Sequence, residues 1–417
     1  MNAPDATRGR HLTRAIGLRA FTGGLFARGF QAILDRIDHG LEYGSIECVL
    51  PDGSTRMLGG RGPGPAAGGT LHSWKALLRL VRGGSAGWYA AWAAGEWSSP
   101  DPVQIFDLFM RNRVSLGNVG RPSGIAKLVG SIMHALRDNS RSGARRNIEF
   151  HYDLGNDFYA AWLDESMTYS SAMFAEPLTE LEPLAAAQHR KIKVLLDRLQ
   201  LHSGDSLLEI GCGWGGLAEV ALREHKVRYH GITLSSEQKA YADTRLAGLG
   251  QASVTLTDYR DVRGQYEAIA SVEMVEAVGQ RYWPDYLASI SRCLKPGGRA
   301  AIQYIRIEDD IFESYASGTD FIQHYIFPGG MLLSESRFRA LAQASGLEWQ
   351  GQHDFGLHYG ETLRRWRERF DAAVDAGMLP TGFDEKFVRL WRYYLMYCEG
   401  GFRGGGINVA QVTLLKR

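Results

Sequence analysis

One short run holds the residue types best suited to chemistry, Glu209-Ile210-Gly211-Cys212-Gly213-Trp214-Gly215-Gly216. Apolar Leu207 to Ile210 read as a strand, and the glycines behind it as a turn that lets backbone approach a ligand closely. Such a turn is a weak signal alone, because dinucleotide-binding folds use a similar one. Three features favour an S-adenosylmethionine cleft. Glu209 sits just before the first glycine, near where a ligand ammonium would lie. The crowded glycines at 211, 213, 215 and 216 read as departing from the Gly-x-Gly-x-x-Gly fingerprint. An acidic loop, Asp258-Tyr259-Arg260-Asp261, follows a third strand, where an adenine would lie. The competing reading is a tight strand–helix turn without ligand.

These residues need a frame that brings separate strand ends together. The segments SLLEIGCGWGG, ALREHKVRYHGITLS, ASVTLTDYRDV, YEAIASVEMVEAVG and LKPGGRAAIQYI each carry a short apolar run, with helical patterns between them. That alternation predicts an α/β fold, a doubly wound Rossmann-like sheet. Upstream, residues 1–70 read as short glycine-rich elements, ending in a turn-rich stretch from Gly59 to Gly69. From Ser73 the apolar spacing predicts helix, with Ser99 before Pro100 as a helix start. Trp74, Trp88, Trp92 and Trp97 fall in this region and suit either a water–lipid interface or a tryptophan-rich core.

The length of 417 residues suits two domains, and 45% hydrophobic with 22% charged residues excludes a disordered chain. No apolar run approaches the roughly 18 residues of a membrane span. The arginines between Met1 and Arg28 come without the compact apolar segment of a secretory signal. Cys48, Cys212, Cys293 and Cys398 lie far apart, which excludes a disulfide framework and a paired zinc motif. A cytoplasmic protein is expected. The net charge of +1 hides an asymmetry, because basic residues outnumber acidic ones in residues 1–150 and are outnumbered beyond. Arg121, Lys127, Arg137, Arg141, Arg145 and Arg146 stand against Asp138 alone. Such a stretch suggests an anionic membrane surface or a nucleic acid, or else a solvated face.

Over roughly residues 145–417 the chain resembles the cyclopropane fatty acid synthase family. The resemblance rests on HYDLGNDFY (His151–Tyr159), MTYSSAMF (Met167–Phe174), LEIGCGWGG, GITLSSEQ (Gly231–Gln238), DYRDV, EMVEAVG (Glu273–Gly279), YIFPGG (Tyr325–Gly330) and YYLMYCEGGFR (Tyr393–Arg403). It implies methyl transfer from S-adenosylmethionine to a cis double bond within a phospholipid acyl chain. It also implies cofactor contacts at Tyr169 and Ser170, at Glu209, Gly211, Gly213 and Gly215 by the methionine moiety, at Thr233, Leu234 and Gln238 by the ribose, and at Asp258 and Tyr259 by the adenine. Read without the resemblance, Leu234 is plain core and Gln238 a surface helix residue.

The transferred methyl leaves a carbocation that must lose a proton. The resemblance implies a bound bicarbonate as acceptor, held by a cysteine, a glutamate, a histidine and a tyrosine. Glu276 and Tyr359 match the glutamate and tyrosine, but Ser171 stands at the cysteine position, Gln303 at the histidine position, and Ala277 follows Glu276 where histidine is usual. Serine and glutamine still hydrogen-bond an oxyanion, and Glu273 or Glu308 offers a protein carboxylate in its place, unless both are surface or capping groups. Cys398 matches a family cysteine once favoured as catalytic, and a buried free thiol is commonly inert.

The expected organisation is an N-terminal lipid- or membrane-binding domain over 1–120, a basic linker over 121–146 and a methyltransferase domain over 147–417. The expected partners are phospholipid acyl chains, with no nucleic acid, at the inner membrane surface, and the resemblance implies a homodimer. The expected product is a cyclopropane, with a mid-chain methylene or methyl branch as the alternative. A non-catalytic lipid-binding protein is the alternative from another class. Methylation of RNA fits the charge but not the motifs, because the tryptophans cluster apart from the arginines.

Overall fold

The computed structural model describes residues 29–117, 154–178 and 181–417. The basic stretch from Arg121 to Arg146, the residues from Met1 to Arg28, and His151–Asp153 of the first motif lie outside them. Two sheets organise the described chain. The smaller has the order β2-β1-β3-β4, from β1 (Ser45–Val49), β2 (Thr55–Gly59), β3 (Ala66–Leu71) and β4 (Trp97–Ser98). The β1–β2 hairpin turns on Asp52, whose carboxylate accepts from Ser54 N at 3.0 Å.

The larger sheet runs β11-β12-β9-β8-β5-β6-β7, with β10 (Leu333–Ser334) beside β9. Its strands are β5 (Ser206–Ile210), β6 (Arg228–Thr233), β7 (Ala252–Leu256), β8 (Tyr266–Val272), β9 (Leu294–Ile307), β11 (Leu347–Asp354) and β12 (Ile407–Lys416). β5 to β9 are the five strands expected from the sequence, and they pair in parallel. Growth goes from β5 to β6 and β7 on one side and to β8 and β9 on the other, which opens a crevice at their carboxyl ends. β12 inserts antiparallel between β9 and β11 and sets Gln411 opposite Gln303.

A helix over Lys75–Ala93 follows β3, but the next helix begins later than Ser99. Asp101 caps the helix Pro102–Arg111, its carboxylate accepting from Val103 N at 3.1 Å with proline at the first turn. Ser99 instead donates to Gly68 O at 2.6 Å. The tryptophans here pack inward. Trp88 and Trp97 stack with centroids 4.4 Å apart, and Trp97 Nε1 donates to Trp88 O at 3.0 Å.

The helix Pro102–Arg111 lies against the helix Glu385–Arg403 so closely that a Cβ on Gly400 would stand 2.4 Å from Phe106 Cβ. One apolar cluster therefore runs from Leu34 and Trp97 through Trp391 and Tyr394, and the small sheet is fixed to a helix that also backs Tyr169 and Tyr359. Among the described residues no helix is long and apolar enough to cross a membrane.

Candidate active site

A cleft opens at the carboxyl ends of β5, β6 and β8. Its floor is backbone. Gly213 has φ +51, and a Cβ added there would meet nothing within 4 Å, so it would project into the space a ligand needs. Gly211, Tyr169, Ser170, Glu209, Thr233, Leu234, Gln238 and Tyr259 also line the cleft. Gln238 is buried, not on an exposed helix face. Ser235 caps the helix Ser236–Leu246 by accepting from Gln238 N at 3.2 Å, and Thr233 Oγ1 donates to Gln238 Oε1 at 2.8 Å. Leu234 is half-buried at the wall and does not belong to the core.

Three details depart from the sequence reading. Gly215, with φ +81, starts the helix Gly216–Val220 and stays off the lining, because its Cβ position faces Ala242 at 3.4 Å. Asp258 also stays off it. Its carboxylate accepts from Arg260 N at 2.9 Å and from the Arg260 guanidinium at 2.8 and 2.7 Å, so a local turn and ion pair occupy the group expected at the adenine. Finally, glycines 211, 213 and 216 do satisfy Gly-x-Gly-x-x-Gly, so spacing does not separate the two ligand classes.

The sequence candidates omit Lys191. It is 1% exposed on the helix Leu184–Asp197 and donates to Ser170 Oγ at 2.7 Å. Burial pulls its ammonium down to about 8, against the pull of Glu273, Asp164 and Glu209. Glu209 accepts from Tyr229 Oη, and burial pushes its carboxyl up to about 8. A ligand ammonium beside it would favour the charged carboxylate and oppose that shift.

At one wall of the cleft, four distant segments meet at Glu273, which itself lines the cleft. Its φ of +47 is rare for a residue with a Cβ and costs about 1–3 kcal/mol, a pattern typical of functional sites. Glu273 N donates to Gln303 O at 2.8 Å, which fixes the backbone. The carboxylate accepts from Ser171 N at 2.9 Å, Gln303 Nε2 at 2.7 Å and Tyr359 Oη at 2.7 Å. Each donor has its own support. The Ser171 loop hangs on the helix Gly356–Asp375, with Ala172 N donating to Thr362 Oγ1 at 3.1 Å and Phe174 N to His358 Nδ1 at 2.9 Å. Tyr359, on that helix's first turn, stacks on Phe402 at 4.4 Å. Ser171 contributes its N–H, while its hydroxyl donates to Ala172 O.

Glu276 lies behind this corner. One oxygen accepts from Ile305 N and the other is buried without a partner, while Met331 N from the YIFPGG side donates to its backbone O at 2.8 Å. Burial, then the Glu273 charge, pushes its carboxyl up to about 8. The corner thus has a simple charge balance. Burial drives Glu209 and Glu276 toward their neutral forms, while the Lys191 ammonium and three donors favour the charged form of Glu273. Burial raises Glu273 as well.

Two further candidates stand apart. Glu308 lines a separate, open cleft of about 500 Å³ and pairs with Arg306 at 2.8 Å. Cys398, on the helix Glu385–Arg403, does not line the cofactor cleft, and burial holds its thiol well above the usual range, so it is a packing group.

The comparisons agree with this geometry. Residues 139–412 match the family described as mycolic acid cyclopropane synthetase. The chain is 41% identical over 367 residues to a tuberculostearic acid methyltransferase of Mycobacterium tuberculosis, covering 83% of this chain and 82% of that one. It is 38% identical over 265 residues to a cyclopropane-fatty-acyl-phospholipid synthase of Escherichia coli, covering 63% and 66%. A mycolic acid cyclopropane synthase solved with SAH and CTAB superposes with a TM-score of 0.60 at 29% identity, covering 65% of this chain and 98% of that one. With a backbone floor open at Gly213 and polar walls at Ser170, Thr233 and Gln238, the cleft fits S-adenosylmethionine. The chain belongs to the mycolic acid cyclopropane synthetase family, as an S-adenosylmethionine-dependent methyltransferase that modifies lipids.

Proposed function

We propose that the protein methylates the cis double bond of an unsaturated phospholipid acyl chain and that Glu273 itself takes the proton. S-adenosylmethionine supplies a methyl already electrophilic on a sulfonium sulfur. The chain's own residues position the alkene, exclude water and accept the proton. The observation that carries the reading is the carboxylate of Glu273, buried among the Ser171, Gln303 and Tyr359 donors, three of the positions the resemblance assigns to holding an anion.

The alkene electron pair forms the new C–C bond as the S–CH3 bond breaks, leaving a cation on the neighbouring carbon. A hydride then shifts from the methylated carbon to that neighbour. A methyl C–H bond breaks, its electron pair forms a mid-chain methylene, and the proton goes to the Glu273 carboxylate. The methylene reading is favoured because the relative matched over 83% of the chain is named for methylating a fatty acid. Direct proton loss from the methyl, without the hydride shift, would close a cyclopropane. That second reading rests on the relative named as a cyclopropane-fatty-acyl-phospholipid synthase.

Lipids from cells expressing the protein decide between them. Both products gain one CH2, but ozone cleaves a methylene to a ketone and leaves a cyclopropane intact. An ozone-resistant product would overturn the methylene reading. Turnover that survives bicarbonate depletion is expected of a tethered base, and strong dependence on bicarbonate would overturn Glu273 as acceptor.

The division into 1–120, 121–146 and 147–417, with the basic linker on anionic phospholipid, belongs to the same reading. Its support is the charge asymmetry of the sequence. Binding to anionic vesicles should weaken steeply as salt shortens screening to about 8–10 Å, and salt-indifferent binding would remove that support.

A further inference from the structure

Gln303 faces Glu273 with its amide nitrogen, although an amide side chain fits its space either way round. Turned over, its oxygen would meet the Glu273 carboxylate and repel it. The register of β12 against β9 supplies what opposes that turn. Gln411, fully buried, donates from Nε2 to Gln303 Oε1 at 3.0 Å and to Lys191 O at 3.2 Å. Its own Oε1 accepts from Arg198 Nε at 3.2 Å. Arg198, just beyond the helix Leu184–Asp197, is also anchored at the far side, donating to Gly351 O where β11 bulges.

A guanidinium only donates and is not deprotonated in a protein. Arg198 therefore dictates that Gln411 turns its oxygen outward and its nitrogen inward. Gln411 in turn dictates that Gln303 presents oxygen to β12 and nitrogen to Glu273. The hydrogen bonds run one way, from Arg198 to the carboxylate. We propose that Gln411 is a positioning residue, through which Arg198 fixes the Gln303 amide with its nitrogen toward Glu273. This rests on Glu273 being the proton acceptor.

Gln411→Glu tests it, because the new side chain keeps its size and still accepts from Arg198 but offers Gln303 only acceptors. The new carboxylate then competes for the Gln303 nitrogen, which also reaches Ser171 O at 3.4 Å, and weakens its hold on Glu273. Glu276 and Tyr359, which also face Glu273, keep their partners in this variant, while Lys191 loses only the donor to its backbone O. The acid limb of the kcat/KM profile should move up by about one pH unit, the order of one lost charge-assisted hydrogen bond, with S-adenosylmethionine affinity unchanged. In a Gln303→Leu background the uncharged Gln411→Met should shift nothing, while Gln411→Glu keeps only the part due to its own charge. If Gln411→Glu does not fold, Gln411→Met serves, and it should shift the limb in the same direction. A folded variant with the wild-type acid limb overturns the inference. Glu273→Gln separates this from failure of the underlying reading, since full turnover in that variant would remove Glu273 as acceptor whatever Gln411 does.

Discussion

The cofactor cleft and the acceptor corner share a wall at Ser170, Lys191 and Glu273, yet they are built on different principles. The cleft takes its floor from one short run, Ile210 to Trp214 with Gly216, whose backbone lies open to a ligand at Gly213. The corner takes one donor each from the Ser171 loop, β9 and the helix Gly356–Asp375, around a carboxylate at the end of β8. A floor of backbone tolerates change in most side chains, because its shape depends on φ and ψ. A corner of side chains depends on every partner, because a buried carboxylate that loses donors is driven toward its neutral form. Substitutions should therefore act sharply and specifically in the corner, and through cofactor affinity in the cleft.

The largest effect is expected at Glu273. Glu273→Gln keeps the shape but cannot accept a proton, so turnover should fall by about 10²–10⁴-fold, with S-adenosylmethionine binding by calorimetry intact. Glu273→Gly goes further. It relieves the φ of +47, leaves the three donors facing an empty pocket, and should recover part of the activity in formate or bicarbonate. Failure of any small carboxylate to rescue would show that the corner is not an anion site. The pH dependence has a definite sign. Burial raises Glu273, so the active carboxylate is lost as pH falls through a value above the usual carboxylate range. An acid limb below about 4 would contradict this.

Next comes Gly213→Val. A branched side chain projecting into the cleft should lower cofactor affinity by more than about 100-fold, because an intruding group costs several kcal/mol of contact. The fold should change little, since nothing lies within 4 Å of that Cβ position, apart from the strain of φ +51 on a branched residue. Retained affinity would mean the methionine moiety does not pass over Gly213. Tyr359→Phe should cost less, about 10-fold in turnover, as expected for one of three hydrogen bonds to a charged group. An unchanged rate would make Tyr359 a packing residue against Phe402.

The same contrast explains what was legible in the sequence. The five parallel strands and the cleft floor were, because alternating apolar runs and a glycine turn are local patterns. β11 and β12 were not, although β12 carries the partner of Gln303. The signal existed, since Gln303 and Gln411 are polar residues inside otherwise apolar strand runs, where an unpaired amide would be costly. Lys191 left a similar trace, on the buried stripe of its helix with Leu184, Gln188 and Leu195. A sequence reveals that such residues need partners but not which ones. The family resemblance placed Ser171, Gln303 and Tyr359 together and put Glu276 beside them, but only the backbone turn at Glu273 brings that carboxylate to the donors and leaves Glu276 behind.

The smallest effect is expected at Asp258, and there the two principles can be told apart most cleanly. Its place after the third strand makes it an adenine contact on motif grounds, whereas its carboxylate is engaged by Arg260 on both backbone and guanidinium and is off the cleft lining. Asp258→Asn keeps the acceptor for Arg260 N and removes the charge. If the local ion pair is its whole role, cofactor affinity should change by less than about 3-fold, since the pair is half-buried off the cleft lining and asparagine keeps the acceptor for Arg260 N. A loss beyond 10-fold would mean that Asp258 leaves Arg260 and turns inward when the adenosine binds. The cleft would then depend on a mobile side chain as well as on its backbone floor, and its contrast with the corner would narrow at that point. Arg260→Gln separates the cases. It removes the guanidinium from Asp258, so it should raise affinity if Asp258 turns inward and leave it unchanged if the pair only shapes the loop.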